Sequence, residues 1–291
     1  MTKLIRLLFK PILLAFFYLP RSLQRFSASL LGFLWFDLLR VRRKIVLDNL
    51  RLAFPEWSED RRLNVARQSM FHVGLNITDV LLLPFIDRRW VDENFVFEGM
   101  ENYEAVVKKG KGALFLSLHL GSGDLAVAAM SLKGMPIHCI TKEFKSQWLN
   151  NLWFTARRRH GTRFISDRKS SFDILRALRK NEFVVFVFDQ FMGPPLGIRT
   201  KFFGVETGST AGLALIADRA ECPVVPVYTF HRPDQKIVLK IDPEIPFARK
   251  DDRDGTIAHM TQVYCDYLET LVRQYPEQWM WLHRRWKEYR H

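Results

Sequence analysis

An α/β fold, with a largely parallel mixed sheet flanked by helices, is expected from two features of the 291-residue chain. Short apolar runs of strand length recur at 113–118 (ALFLSL), 183–188 (FVVFVF), 224–228 (VVPVY) and 237–241 (IVLKI), bounded by glycine, proline or polar residues. Helix-length stretches separate most of them, and strands covered on both faces by helices read as continuous apolar runs. A composition of 48% hydrophobic and 26% charged residues, with 15 Gly and 13 Pro, excludes a disordered or low-complexity chain. Cys139, Cys222 and Cys265 are far apart and odd in number, which argues against a disulfide scaffold or structural zinc and fits a reducing compartment.

The chain begins with two apolar segments, 11–20 (PILLAFFYLP) and 28–36 (ASLLGFLWF), edged by cations. Residues 1–51 hold ten Lys or Arg against two acids, so +8 of the formal +13 lies there. Each run is nearer ten uncharged residues than the ~20 needed to span a bilayer. Apolar helices rimmed by Lys and Arg suit the surface of an anionic leaflet better, and nucleic-acid binders are rarely so apolar. A cleaved signal is disfavoured, because Pro20 and Arg21 close the first run and the small-residue site 27–29 leads into another apolar run. The competing view makes both segments ordinary core helices. The expected organisation is a membrane-associating region over 1–40, then one domain over 41–291 with a helical lead-in (41–95) and an α/β core (96–291).

The lead-in predicts a helix to the break at Phe54-Pro55, then a second helix from Ser58, whose hydroxyl and following acids Glu59 and Asp60 mark a helix start, to Pro84. Within the core, helices are expected over 125–132, 149–159, 171–179, 210–220 and 256–275. Sheets of this kind place their sites beyond the carboxyl ends of the strands.

His119 follows the first strong strand, and Asp124 lies five residues on across Leu-Gly-Ser-Gly. Five residues of continuous helix rotate about 500°, so the pair needs a bend, which Gly121 and Gly123 permit. The result is a general base with a carboxylate to fix its tautomer. The spacing His-x4-Asp/Glu is weak alone: His138/Glu143 and His283/Glu288 share it. Only His119 joins a preceding strand to turn glycines; His138 lies in a strand-like piece and His283 in a Trp/Arg-rich tail.

Six segments in order carry a resemblance. Residues 48–55 (DNLRLAFP), 110–113 (GKGA), 119–124 (HLGSGD), Phe188-Asp189-Gln190 with Gly197 and 202–204 (FFG), 212–215 (GLAL) with 223–226 (PVVP), and 278–287 (QWMWLHRRWK) together resemble the lipid A biosynthesis acyltransferases, a branch of the lysophospholipid acyltransferase superfamily. Members commonly read H-F-G-N-W-E at the third block; this chain has Leu120, Ser122-Gly123 and Asp124 instead, so the pair is kept while its lining differs.

The resemblance implies transfer of a fatty acyl group from a thioester, on acyl carrier protein or coenzyme A, to a lipid hydroxyl at the cytoplasmic face of a bacterial inner membrane. His119 would be the base and Asp124 its partner, with backbone N–H groups near Gly121 to Gly123 receiving the oxyanion. No metal or redox cofactor is expected, and no nucleic-acid partner. The acceptor is a lipid A precursor or related lipid, with lysophosphatidic acid and an amino-acid lipid as alternatives, and a basic rim would serve both acidic carrier and headgroups. Further substrate-binding candidates are Arg159 at a helix end, Asp189 and Gln190 at a strand end, and Arg199 and Lys201 in a Gly/Pro-rich loop. Trp279, Trp281 and Trp286 suit packing inside the fold ahead of a membrane belt. A non-catalytic lipid-binding protein of the same fold is the rival class. A serine hydrolase is disfavoured by the absence of a G-x-S-x-G elbow, and an acyl-Ser122 route ranks low.

Overall fold

The computed structural model describes residues 11–142, 146, 154–167 and 171–287, and the structural statements below concern those residues. Residues 11–17 are helical, and Pro20 precedes helix α1 (Arg21–Phe33), which runs into a π-turn (Leu34–Leu38). Helices α2 (Arg43–Ala53) and α3 (Glu59–Leu82) follow. Ser58 caps α3 by accepting from the Arg61 N–H at 3.2 Å, as its position before two acids predicts. One face of α1 (Gln24, Ala28, Gly32) is buried against α3. The approach is close because the crossing residues are small: a Cβ on Gly32 would stand 2.7 Å from the Met70 carbonyl oxygen, and one on Gly74 2.2 Å from that of Ala28. The opposite face of α1, Leu23, Phe26, Leu30 and Phe33, is exposed. Among the described residues, no helix is long and apolar enough to cross a membrane.

The rest alternates strand and helix: α4 (Arg88–Asn94), β1 (Phe95–Glu98), α5 (Met100–Lys108), β2 (Ala113–Ser117), α6 (Gly123–Leu132), β3 (Ile137–Thr141), β4 (Arg163–Ser166), α7 (Ser171–Arg179), β5 (Phe183–Val187), a hairpin of β6 (Gly197–Phe202) and β7 (Val205–Thr210), α8 (Gly212–Ala220), β8 (Val224–His231), β9 (Ile237–Ile241) and α9 (Arg253–Gln274). Seven strands form one sheet in the order β1-β9-β8-β2-β5-β3-β4. Its pairs are parallel except β8 with β9. Side chains alternate between two cores: Leu114, Leu116, Val184 and Val224 face one, with α2, α3, α8, α9 and the C-terminal tail, while Ala113, Phe115, Val185 and Val225 face the other, with α5 and α6. Burial on both faces explains why β2, β5 and β8 read as unbroken apolar runs.

The expected α/β class and parallel sheet are found, with additions that the apolar runs did not announce. β1 and β4 are four-residue edge strands, and β4 is partly exposed, so neither carries a long apolar signal. The segment expected as a Gly/Pro-rich loop with Arg199 and Lys201 is instead strand β6, where both side chains lie on the exposed face opposite Gly208 and Glu206 of β7. Its two-residue turn uses Phe203 (φ +56°) and Gly204 (φ +72°), the left-handed pair that matches the twist of a hairpin. Helix α8 begins at Gly212 rather than Thr210, which closes β7. The helix expected over 149–159 lies partly outside the described residues; 154–158 are helical.

Candidate active site

The site starts from strand register. In the parallel pair β2–β5, Ser117 is the partner of Val187, and the Phe188 N–H donates to the Ser117 carbonyl at 2.9 Å as the last rung. His119 and Asp189 each lie two residues beyond these partners, at the carboxyl ends of adjacent strands. The His119 backbone N–H donates to Asp189 Oδ2 at 2.8 Å, and His119 Nδ1 lies 2.8 Å from Asp189 Oδ1. Trp279 Nε1 also donates to Oδ2, at 2.7 Å. The Asp189 side chain has no exposure, whereas that of His119 is 30% exposed.

Electrostatics favour the charged form of both partners. Burial alone would raise the Asp189 pKa, but the facing His119 charge and its hydrogen bonds outweigh that and hold the carboxyl well below its usual range. Burial works to lower the His119 pKa, and the Asp189 charge and hydrogen bond overcome it, with a smaller contribution from Asp124, so the imidazole titrates above its usual 6.5. An ionised carboxylate only accepts, so Nδ1 carries the hydrogen and Nε2 is left with a lone pair for an incoming proton.

Asp124 therefore does not occupy the place that the sequence spacing gave it. It lies in the first turn of α6 and is bound by Arg157 of the 154–158 helix, reaching His119 through its charge alone. The reason is the parallel register: Asp189 arrives from the next strand already level with His119, while Asp124 has turned into a helix. Gly121 makes that turn possible. Its φ is +59°, and a Cβ would stand 2.4 Å from the Thr229 carbonyl oxygen. Gly123 has open space where a Cβ would go and no left-handed backbone.

The loop is held from the other side by the C-terminal tail. The Met280 N–H donates to the His119 carbonyl at 3.0 Å, and Thr229 Oγ1 to the Leu120 carbonyl at 3.1 Å. The tail is fixed by Ser69 Oγ on the Trp279 carbonyl (2.9 Å) and by Asn49 Nδ2 on the carbonyls of Trp281 (2.8 Å) and His283 (2.7 Å). Arg285, 1% exposed, donates to the Gly208 carbonyl at 2.6 Å and Ser209 Oγ at 2.7 Å. Trp279 and Trp281 are fully buried and Trp286 is half-buried, as packing inside the fold requires. The sequence pattern of the tail points to packing alone, whereas Trp279 and His283 stand against Asp189 and His119. His283 packs on His119 with ring centroids 4.5 Å apart. His119, Asp189 and His283 offer donor atoms within 4.8 Å of one another, but the two Asp189 oxygens already accept three hydrogen bonds.

Ser122 points away from this centre. It is 1% exposed, with its hydroxyl on Asp79 and 2.9 Å from His231 Nε2, and Asp79 in turn pairs with Arg21 of α1 at 2.9 Å. Serine, histidine and carboxylate are thus in contact, yet in the wrong order for a nucleophile. The carboxylate holds the serine, His231 Nδ1 has no hydrogen-bond partner, and burial, aided by Arg21 and Arg25, lowers the His231 pKa to about 3.

Of the other sequence candidates, Arg159 is exposed in the turn after the 154–158 helix, and Gln190 is exposed with its carbonyl 3.4 Å from Arg285 Nη1. Arg199 is paired with Glu206 at 3.7 Å, and the Lys201 backbone is bonded to Gln262. Among the described residues, the side chains of Arg159, Gln190 and Lys201 form no hydrogen bond to His119 or Asp189. His138 belongs to a surface network with Glu182 and Arg163, and Glu143 and Glu288, the acids of the two competing spacings, lie outside the described residues.

The sequence matches the profile of the bacterial lipid A biosynthesis acyltransferases over residues 3–288. It is 28% identical over 262 residues to the lipid A biosynthesis lauroyltransferase of Escherichia coli K12, covering 88% of this chain and 83% of that protein. It is 25% identical over 272 residues to the lipid A biosynthesis palmitoleoyltransferase of the same organism, covering 92% and 86%. A lipid A biosynthesis acyltransferase of Haemophilus influenzae is 22% identical over 235 residues, covering 80% and 72%. A match over nearly the whole length, with the ordered motifs built around one strand-end site, places this chain in the bacterial lipid A biosynthesis acyltransferase family and makes it an acyltransferase.

Proposed function

We propose that the enzyme transfers a fatty acyl group from an acyl thioester, carried by acyl carrier protein or coenzyme A, to a hydroxyl of a lipid A precursor, with His119 as general base and Asp189 as its holder. The observation that carries this reading is the 2.8 Å contact of His119 Nδ1 with a fully buried carboxylate, which leaves Nε2 as the proton acceptor on the exposed side. Nε2 takes the hydroxyl proton as the oxygen attacks the thioester carbon. The tetrahedral oxyanion is received by backbone N–H groups over Gly121 to Gly123, at the start of α6, where Ser122 makes no side-chain cap and the helix dipole is positive. Collapse breaks the C–S bond, and the imidazolium returns its proton to the departing thiolate. Asp124 adds negative charge beside the base and anchors Arg157.

The same reading puts the exposed face of α1 on the cytoplasmic leaflet of a bacterial inner membrane. Leu23, Phe26, Leu30 and Phe33 recur at helical spacing on that face, each 47–67% exposed, and the exposed cations Arg40 and Lys44 follow. Each cation near an anionic surface adds about 1 kcal/mol. Residues 1–40 are thus the membrane-associating part and 41–291 the acyltransferase domain. Arg159, Arg199 and Lys201 remain proposed contacts for headgroup phosphate or the acidic carrier. The test is the purified enzyme with acyl-acyl carrier protein or acyl-CoA and separate lipid acceptors, read by mass spectrometry. A product heavier by one acyl group, lost in His119→Ala, is expected; no acylated lipid with any donor overturns the proposal.

A further inference from the structure

The C-terminal tail brings a second imidazole to the reacting centre. His283 is held from its backbone, with its carbonyl accepting from Asn49 Nδ2 at 2.7 Å and its N–H reaching the Met280 carbonyl at 3.5 Å. Its ring lies on that of His119 at a tilt of 58°. His283 Nε2 is buried and has no hydrogen-bond partner. Buried polar atoms in native structures are nearly always paired, so an unpaired one beside a catalytic base marks the place of a ligand atom.

Burial, then the neighbouring His119 charge, lowers the His283 pKa to about 4, against the pull of Asp189. The two rings therefore divide their roles. His119 is the basic one and His283 stays neutral, so it does not compete for the proton and can still donate one N–H.

A nitrogen of His119 and one of His283 come within 4.8 Å of each other. An acceptor hydroxyl whose hydrogen rests on His119 therefore lies beside the His283 ring, with a lone pair free to face the thioester carbon.

Building on the acyltransfer mechanism above, we propose that His283 is a second catalytic residue that binds and orients the acceptor hydroxyl, with its Nε2–H donating to the attacking oxygen while His119 removes the hydroxyl proton. No bond to His283 forms or breaks; its hydrogen bond fixes the lone pair that attacks. Such orientation acts in the transition state and in acceptor binding, and leaves the acyl donor alone.

The experiment is steady-state kinetics of the full-length enzyme, varying lipid acceptor and acyl donor separately, for His283→Ala, His283→Gln and the wild type, with thermal unfolding midpoints alongside. His283→Ala is expected to lose on the order of 10²-fold in kcat/KM for the acceptor, with the donor KM and the midpoint of the pH profile unchanged. His283→Gln, which keeps an N–H near the same place, is expected to recover to within about tenfold of wild type. Wild-type kinetics in His283→Ala would overturn the proposal, as would equal losses in both variants with a lowered unfolding midpoint, since packing alone would then account for the residue. If the wild type acylates no lipid, the mechanism beneath the proposal has failed; if the wild type is active and His283→Ala equals it, only the role of His283 has.

Discussion

His119 and Asp189 meet because Ser117 and Val187 are register partners in a parallel pair and each strand runs two residues further before its functional side chain. A shift of one residue in that pairing would turn the carboxylate to the other face of the sheet. The relationship assigns unequal weight to the two acids near the base. Asp189→Asn keeps shape but offers Nδ1 a donor or a neutral oxygen, and kcat should fall on the order of 10³ to 10⁴. Asp124→Asn removes only a neighbouring charge and the Arg157 anchor, and should cost on the order of tenfold. Single-turnover assays of both variants check this order, and a larger loss in Asp124→Asn would reverse it.

The two glycines of the loop differ physically. Gly121→Ala forces a side chain onto a left-handed backbone and against the Thr229 carbonyl, and should destabilise the fold by about 1 to 3 kcal/mol and disable the loop. Gly123→Ala meets nothing and should stay within about 1 kcal/mol of wild type, with a slight gain because alanine suits the first turn of α6. Urea unfolding of the pair reads both, and comparable stability in the two variants would contradict the geometry.

Trp279 matters through one atom as well as through bulk. Trp279→Phe preserves most of the packing but leaves Asp189 Oδ2 without its indole donor. A hydrogen bond to a buried charged group is worth about 1.5 to 3 kcal/mol, so a loss of that size in unfolding free energy is expected. A variant as stable as wild type would show that the contact contributes nothing.

On α1, replacing Phe26 and Leu30 together by Asp touches only exposed side chains and should leave the melting temperature within a few degrees. Flotation with vesicles containing anionic lipid should nonetheless show at least tenfold weaker binding. Undiminished binding would remove α1 from the membrane surface.

Much of the fold was legible in the sequence because strands buried on both faces leave unbroken apolar runs: 113–118, 183–188, 224–228 and 237–241 all proved to be strands. The edge strands β1 and β4 and the half-exposed hairpin β6–β7 carry no such run, and Arg199 and Lys201 were misplaced to a loop for that reason. The place of His119 just beyond a strand end was legible from the apolar run and the glycines that flank it. Its hydrogen-bond partner was not, because Asp124 is five residues away in sequence whereas Asp189 is seventy away and adjacent only through strand order. The same holds for Asn49, Ser69, Trp279 and His283: all but Ser69 lie in the signature segments, but nothing in one dimension shows that the tail crosses back over the loop that carries His119.

The central claim, that a buried Asp189 sets the basicity of His119, is read most directly from the pH dependence of kcat/KM for the lipid acceptor. In the wild type the rate should rise with pH through a midpoint above 6.5, because Asp189 raises the imidazole pKa and the base must first lose its proton. In Asp189→Asn the midpoint should move to lower pH while the plateau drops by on the order of 10³ or more. An acid limb that stays where it was, with an undiminished plateau, would contradict the pairing.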